Sequence, residues 1–261
     1  KEQLCFEKYV PIVMSATLMD KKKTFEHYQS SIGYIFDDNF DLPTPFTLEN
    51  WWFWLHPMYL SPIESNQERQ LQSEIITSTI LKKPLERRLT LVISRSTDYY
   101  LDIKSRLEQQ LPHLDHVEMD KTGYHALCHS ERQGVIYGNK TLITGIDMPG
   151  QVGLIVILKP LQVPLSPAEQ FAKDFKGNNY EYWSWEYYYA ASATLFRQSC
   201  GRGIRSHIDK CVVLCFDKYN SETGSPKGRE EKLIDTYFQN GTHRSTVYKE
   251  AFLPEKWPYE Y

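Results

Sequence analysis

Short apolar runs alternate along the chain with longer segments in which apolar residues recur every three or four positions. The short runs are typical of buried strands, and the longer pattern is typical of amphipathic helices. The sequence predicts strands near residues 10–14, 51–55, 89–93, 114–119, 141–143, 153–158 and 211–216. It predicts helices over 21–31, 64–82, 97–111, 184–199 and 230–238, with a loop or short helix over 125–134. This alternation predicts an α/β domain with a largely parallel central sheet flanked by helices.

Small, hydroxyl or charged residues follow several of the predicted strands. In a parallel sheet the carboxyl ends of the strands meet at one edge, where such folds bind ligands. Candidate ligand-contacting residues after the strands near 89–93 and 141–143 are Ser94, Arg95, Thr144, Gly145 and Asp147.

A second candidate site follows the predicted helix over 184–199. Gln198, Gly201, Arg202 and Arg205 have the spacing Q-x-x-G-R-x-x-R. A guanidinium keeps its charge and offers a rigid fork of donors to phosphate oxygens, so the pattern suits contact with the terminal phosphate of a nucleotide. Two arginines one helical turn apart are also typical of a solvated basic face.

In their order along the chain these segments resemble the motifs of superfamily 2 helicases, specifically the C-terminal helicase domain of the XPD/DinG branch. The segment 15–18 (S-A-T-L) is similar to motif III, 93–96 to motif IV, 144–150 to motif V and 198–205 to motif VI. Two stretches, 159–167 and 212–217, add to the resemblance, which covers most of the chain. The chain departs from the pattern of the branch at Thr144, where an acidic residue is usual. The resemblance implies a RecA-like domain that forms the second lobe of a two-lobed motor.

The resemblance assigns roles at the nucleotide. It implies that Arg202 and Arg205 act as arginine fingers on the γ-phosphate, and that Gln198 lies near the nucleotide or its attacking water. Gly201 would belong to the same nucleotide-contacting segment. Such fingers stabilise charge in the transition state of phosphoryl transfer.

The resemblance also assigns roles between the nucleotide and the nucleic acid. It implies that Gly145 and Asp147 link the nucleotide state to the grip on nucleic acid, and that Ser94, Arg95 and Thr144 contact the backbone of a single strand. Asp147 as a turn residue and Ser94 as a strand cap are the structural alternatives.

The sequence contains neither a G-x-x-x-x-G-K-[ST] phosphate loop nor a D-E-x-[HD] metal motif. We therefore expect the chain to be the C-terminal part of a longer polypeptide and to be inactive alone. ATP and Mg²⁺ would be held mainly by the first motor domain of that polypeptide, and an iron–sulfur cluster is compatible only with that missing part. The predicted divisions are 1–20, which leads in from the first motor domain, 21–220, the helicase domain, and 221–261, a tail.

Charge and cysteine usage add constraints. The formal net charge of −3 over 261 residues excludes a general basic coat, although motors can grip a few phosphates locally. No apolar run reaches membrane-spanning length, so we expect a soluble protein with no membrane partner. The five cysteines include no C-x-x-C pair, which indicates reduced thiols and no metal site. Cys211 and Cys215 should face the core from one strand.

The aromatic cluster at 51–54 suits base stacking less well than a strand with two side chains on each face, one pair in the core and the other covered by an insertion. The predicted function is that of an ATP-dependent helicase domain on single-stranded DNA, with 5′ to 3′ polarity. Partners in a repair or CRISPR complex would fit the branch, in the bacterial cytoplasm or the eukaryotic nucleus. The alternatives are a non-catalytic nucleic-acid-binding or scaffolding module and an RNA-directed helicase.

Overall fold

A computed structural model describes residues 50–58, 66–94, 96–119, 123–139, 148–159, 161, 189–206, 208–218 and 243–246. The chain divides into two compact units, Lys1–Leu42 and Pro43–Tyr261, and every described residue belongs to the second. The elements predicted at 10–14, 21–31, 141–143 and 230–238, together with the motif III segment at 15–18, lie outside the described residues. Within the described part, no helix is both long enough and apolar enough to span a bilayer.

Seven strands and four helices are described in this unit. In chain order they are β1 (Trp51–Met58), α1 (Asn66–Lys82), β2 (Leu89–Ile93), α2 (Thr97–Gln110), β3 (Asp115–Glu118), α3 (Gly123–Cys128), β4 (Gly134–Gly138), β5 (Val152–Ile157), α4 (Tyr189–Cys200), β6 (Cys211–Lys218) and β7 (His243–Thr246). The seven strands form one sheet in the order β3-β4-β2-β5-β6-β1-β7, and every pairing is parallel. The predicted α/β class and parallel central sheet are confirmed.

Alternate residues of the central strands enter two separate cores. On one face, Leu91 pairs with Ile155, which pairs with Val213, and this row packs with residues of α3 and α4. On the other face, Val92 and its neighbours pack against α1 and α2. All residues of β2, β4 and β5 are buried, as expected for a parallel sheet covered by helices on both sides.

The aromatic cluster belongs to these cores, because β1 is an interior strand. Trp51 and Phe53 enter the core beside α4, whereas Trp54 enters the opposite core and Trp52 packs against it. Trp51, Phe53 and Trp54 are buried. The prediction that this run forms a strand with two side chains on each face is confirmed, and both pairs lie in or against a core, where one pair was expected under an insertion.

The cysteine prediction is also confirmed for the strand that carries it. Cys211 and Cys215 are buried in the same core, four positions apart on β6, and both are free thiols. Burial raises the pKa of the Cys211 thiol well above its ordinary value. These two side chains therefore serve as small apolar groups in the core.

The prediction for residues 125–134 was incomplete. The short helix is present as α3, but the sequence interpretation missed β4, which begins at Gly134 and lies between β3 and β2. Its apolar run has only three residues between glycines, too short to stand out by periodicity. The strand forms because its partners on both sides supply the ladder. β7 was also not predicted.

Lys83, just after α1, provides a test of the packing at the start of β2. Its side chain is buried, and its ammonium donates a hydrogen bond to the carbonyl of Arg87. Burial lowers the pKa of Lys83 to about 8, helped by nearby Arg88 and opposed by Glu86.

We expect Lys83→Met to flatten the pH dependence of stability in alkaline solution. Between about pH 8 and the ordinary lysine pKa of 10.5, the unfolded chain binds a proton that the folded chain has released, so the free energy of unfolding rises with pH. The variant should lack this rise, which amounts to about 3 kcal/mol at most. Urea unfolding across this pH window measures it. Lys82→Met, which removes the half-exposed lysine one position earlier, should leave the rise in place; an unchanged rise in Lys83→Met would contradict the assignment.

Candidate functional site

The carboxyl-terminal end of α4 is fixed against β1 by aromatic contacts. The ring of Phe196, buried in the core, stacks on Phe53 with 6.3 Å between the centroids. The indole Nε1 of Trp51 donates to the carbonyl of Cys200, the last residue of the helix, at 3.4 Å. Gln198 lies half-buried in this last turn. The position of the helix end is thus set by the core and not by the polar residues that follow it.

Three main-chain hydrogen bonds carry the chain out of the helix in tight turns. The N–H of Gly201 donates to the carbonyl of Arg197 at 2.9 Å, that of Arg202 to Ser199 at 3.1 Å, and that of Gly203 to Cys200 at 3.1 Å. These bonds satisfy carbonyls that every helix leaves without an intrahelical partner at its end. The main chain at Gly201 and Arg202 is therefore part of an ordered turn.

Gly203 and Ile204 anchor the centre of the segment in the core. Ile204 is buried, and Gly203 lies so close to β6 that a Cβ on it would be 2.2 Å from Sγ of Cys211. Arg202 and Arg205 flank this anchor, and both side chains are half-buried. The anchor places the two arginines on either side of a point at which the chain touches the sheet.

Asp209 closes the segment just before β6. Its Oδ2 accepts hydrogen bonds from the N–H groups of Arg205 at 2.8 Å and Ser206 at 2.7 Å. Its Oδ1 accepts from the N–H of Gly150 at 2.8 Å and from Nη1 of Arg87 at 3.0 Å. The buried carboxylate of Asp209 thus joins the end of the motif VI segment (198–205) to Gly150, two residues before β5.

The charge of Asp209 is stabilised where it lies. Burial by itself raises the pKa of this carboxyl, but the N–H groups of Arg205 and Ser206 and the guanidinium of Arg87 together hold it below its ordinary value. Donors aimed at a carboxylate favour its ionised form. Asp209 is therefore a carboxylate at neutral pH although only 1% of its surface is exposed.

Ser94 lies at the opposite edge of the sheet, at the carboxyl end of β2. It is buried, its N–H donates to the carbonyl of Gly138 at 3.1 Å, and its Oγ accepts from the N–H of Ser96 at 3.2 Å. Ser96 in turn caps α2 by accepting from the N–H of Tyr99. The hydroxyl of Ser94 thus supports the entry into α2, which agrees with the strand-cap alternative; contact with nucleic acid stays a prediction.

Cations surround Tyr99 at this same carboxyl edge. Nζ of Lys159, two residues after β5, is 4.1 Å from the centroid of the Tyr99 ring, and Cζ of Arg69 is 5.0 Å from it. Gln72 joins the cluster by accepting from the Tyr99 hydroxyl at 2.7 Å and donating to the carbonyl of Leu158 at 2.9 Å. Partial burial lowers the pKa of Lys159.

The predicted site residues therefore fall into two groups separated by the length of a strand. Gln198, Gly201, Arg202 and Arg205 lie in the last turn of α4 and the segment that leads to β6, at the edge where the strands begin (the amino edge), and Ser94 lies at the carboxyl edge. At about 3.3 Å per residue, β2 alone separates the two edges by roughly 15 Å. Four predicted site residues lie outside the described part, namely Arg95, Thr144, Gly145 and Asp147.

Sequence analysis missed Asp209 and Arg87 as members of the amino-edge group. The available signal was an aspartate four residues after Arg205 and two residues before a strongly apolar strand, where a buried carboxylate needs partners. Among the described residues, no group of three or more histidines, cysteines or acidic residues is arranged to hold a metal ion.

The parallel sheet, helices on both faces and an arginine-bearing segment at the amino edge define a RecA-like α/β domain. The family model for the helicase C-terminal domain matches residues 87–225, more than half of the chain, and the chain belongs to this family. Among curated protein sequences, none matches significantly.

Solved structures with this fold include XPD and a DEAD-box helicase. An XPD helicase is similar over 75% of this chain and 35% of its own length, with 14% identity and a TM-score of 0.54. An apo form of XPD is similar over 74% and 39%, with 15% identity and a TM-score of 0.50. A variant of S. cerevisiae Dbp5 bound to RNA and ADP–beryllium fluoride is similar over 87% and 49%, with 11% identity and a TM-score of 0.51. The chain thus spans between a third and a half of these proteins, and likeness at such identity shows the fold.

We expect Gly203→Ala to destabilise the domain, because its Cβ would overlap Sγ and Cβ of Cys211. Overpacking of this kind costs about 1–3 kcal/mol in free energy of unfolding. Gly201→Ala is the matched control within the same segment, since its Cβ would come no closer than 3.3 Å, to the carbonyl of Arg197. Urea unfolding of the two variants measures the difference; equal effects would show that close approach to β6 does not fix the segment.

Proposed function

We propose that this chain is the second motor domain of an ATP-dependent helicase of the XPD/DinG type. The observation that carries the proposal is the segment from Gln198 to Arg205, whose main chain is fixed at both ends while Arg202 and Arg205 remain half-exposed. Two guanidinium groups on an ordered turn fit a phosphate anion, because their donors need little reorganisation to bind it. The family membership supports the same function.

In this proposal the chain supplies cations to a nucleotide that it does not hold alone. ATP and Mg²⁺ are held mainly by the first motor domain, as the resemblance implies. Arg202 and Arg205 reach the γ-phosphate across the cleft between the two motor domains, and Gln198 lies at the same cleft. The arginines stabilise the charge that develops during transfer, which is worth about 10³-fold or more in rate for arginine fingers.

The nucleic acid in this proposal is single-stranded DNA, and translocation runs 5′ to 3′. The motif spacing and the proline-bearing segment 160–167 after motif V resemble the DNA-directed branch. XPD and Dbp5, the latter solved with RNA, share the fold with this chain at similarly low identity. Comparing single-stranded DNA with RNA as stimulators of ATPase activity, and duplexes with 5′ or 3′ overhangs as unwinding substrates, separates the alternatives.

We expect Arg205→Ala and Arg202→Ala each to lower the DNA-stimulated kcat of the full polypeptide that carries this chain by about 10³-fold. Nucleotide binding should persist, because the ATP contacts of the first motor domain are intact. Steady-state ATPase assays and binding of a fluorescent ATP analogue measure the two effects. Arg132→Ala, which removes an exposed arginine paired with Asp115, is the control and should leave kcat unchanged. If both motif VI variants turn over ATP normally, or if the wild type has no ATPase activity, the non-catalytic scaffold alternative replaces the motor proposal.

A further inference from the structure

We propose that Asp209 is a positioning residue that holds Arg205 in place for ATP hydrolysis and ties it to the segment that enters β5. The proposal rests on the proposed motor function. It concerns a residue four positions beyond Arg205 that acts through the main chain and not by contact with the nucleotide.

The first argument is the number and direction of the donors that converge on Asp209. Both oxygens accept two hydrogen bonds each, at distances from 2.7 to 3.0 Å. Two of the donors are the consecutive N–H groups of Arg205 and Ser206, and the N–H of Asp209 itself donates to the carbonyl of Ser206 at 3.2 Å. The carboxylate therefore closes a short turn whose first residue is Arg205.

The second argument is that the charge of Asp209 is balanced by another arginine. Its ion pair is with Nη1 of Arg87, at 3.0 Å, while Nη2 of Arg87 donates to the carbonyl of Ile208 at 3.1 Å. Asp209 accepts from Arg205 through the main-chain N–H. The carboxylate thus orders the backbone of Arg205, and Arg87 supplies the countercharge.

The third argument is the origin of the remaining donor. Gly150 has a φ of +75°, a conformation that glycine adopts without strain, and its N–H points at Oδ1 of Asp209 at 2.8 Å. Gly150 closes the segment similar to motif V and precedes β5 by two residues. The same carboxylate therefore fixes the end of one motif relative to the arginine of another.

The matched test compares Asp209→Asn with Asp115→Asn in the full polypeptide. Asp115 also accepts from an arginine, Arg132, and lies at the amino end of β3, and within the described part of the chain its hydrogen bonds and ion pair are with Arg132 and Gln133, outside the motifs. An asparagine at 209 offers one acceptor and one donor group where four donors converge. We expect Asp209→Asn to lower kcat about 100-fold with the KM for ATP unchanged, since a displacement of about 1 Å has such an effect on catalysis. Asp115→Asn should retain wild-type kcat.

A double variant separates positioning from general loss of structure. If Asp209 acts through Arg205, adding Asp209→Asn to Arg205→Ala causes no further loss of kcat. A further loss of about 100-fold in the double variant, or a normal kcat in a folded Asp209→Asn protein, overturns the proposal. If Asp209→Asn fails to fold, Arg87→Gln takes its place: it keeps a donor near Oδ1, and its loss of kcat should likewise disappear in the Arg205→Ala background.

Amide hydrogen exchange tests the positioning independently of ATPase activity. In Asp209→Asn, the amides of Gly150, Arg205 and Ser206 should exchange at least about 10-fold faster, while amides of the buried strand β2 keep their protection. Unchanged exchange at these three amides overturns the proposal whatever the kinetics show. If the wild type has no ATPase activity, the motor function fails, and the exchange measurement still decides whether Asp209 holds Arg205.

Discussion

Burial of the central strands on both faces is the constraint on which the other features depend. Every residue of β2 and β5 is buried, so these two strands offer no side chain to solvent or ligand on either face of the sheet. Polar groups that serve a site must therefore lie where strands begin or end. In this domain polar groups lie at both edges, with the motif VI segment at the amino edge of β6 and Ser94 with Lys159 at the carboxyl edges of β2 and β5.

At the amino edge, four hydrogen-bond donors stabilise the buried carboxylate of Asp209. An isolated buried charge is unfavourable, yet Asp209 remains ionised because two main-chain N–H groups, a third from Gly150 and the guanidinium of Arg87 surround it. Breaking such an arrangement by removing one partner typically costs about 3–5 kcal/mol. The order of the motif VI segment is therefore established by folding, before any ligand is bound.

The sequence predicted elements well where the apolar pattern was long, and it failed where neighbours decide the structure. The stripes of α1 and α2 and the runs of β2, β5 and β6 were visible in the pattern. β4 was missed because three apolar residues between glycines become a strand only through pairing with β3 and β2. For the candidate site, the sequence predicted Arg202 and Arg205 from their spacing, and their role stays a prediction, whereas Asp209 was missed. Its role depends on Gly150, 59 positions away in the chain, which no local pattern reveals.

Strand order explains why those distant segments share one carboxylate. β5 lies between β2 and β6, so the residues that enter β5 lie between those that enter the other two strands. Arg87 precedes β2, Gly150 precedes β5 and Asp209 precedes β6. These three residues are neighbours at one edge, where Arg87 and Gly150 donate to the carboxylate of Asp209. Because the strands are parallel, the residues that enter all three strands lie at the same edge of the sheet. The contact between motifs V and VI is therefore a consequence of topology, and it persists only as long as the three strands keep their register.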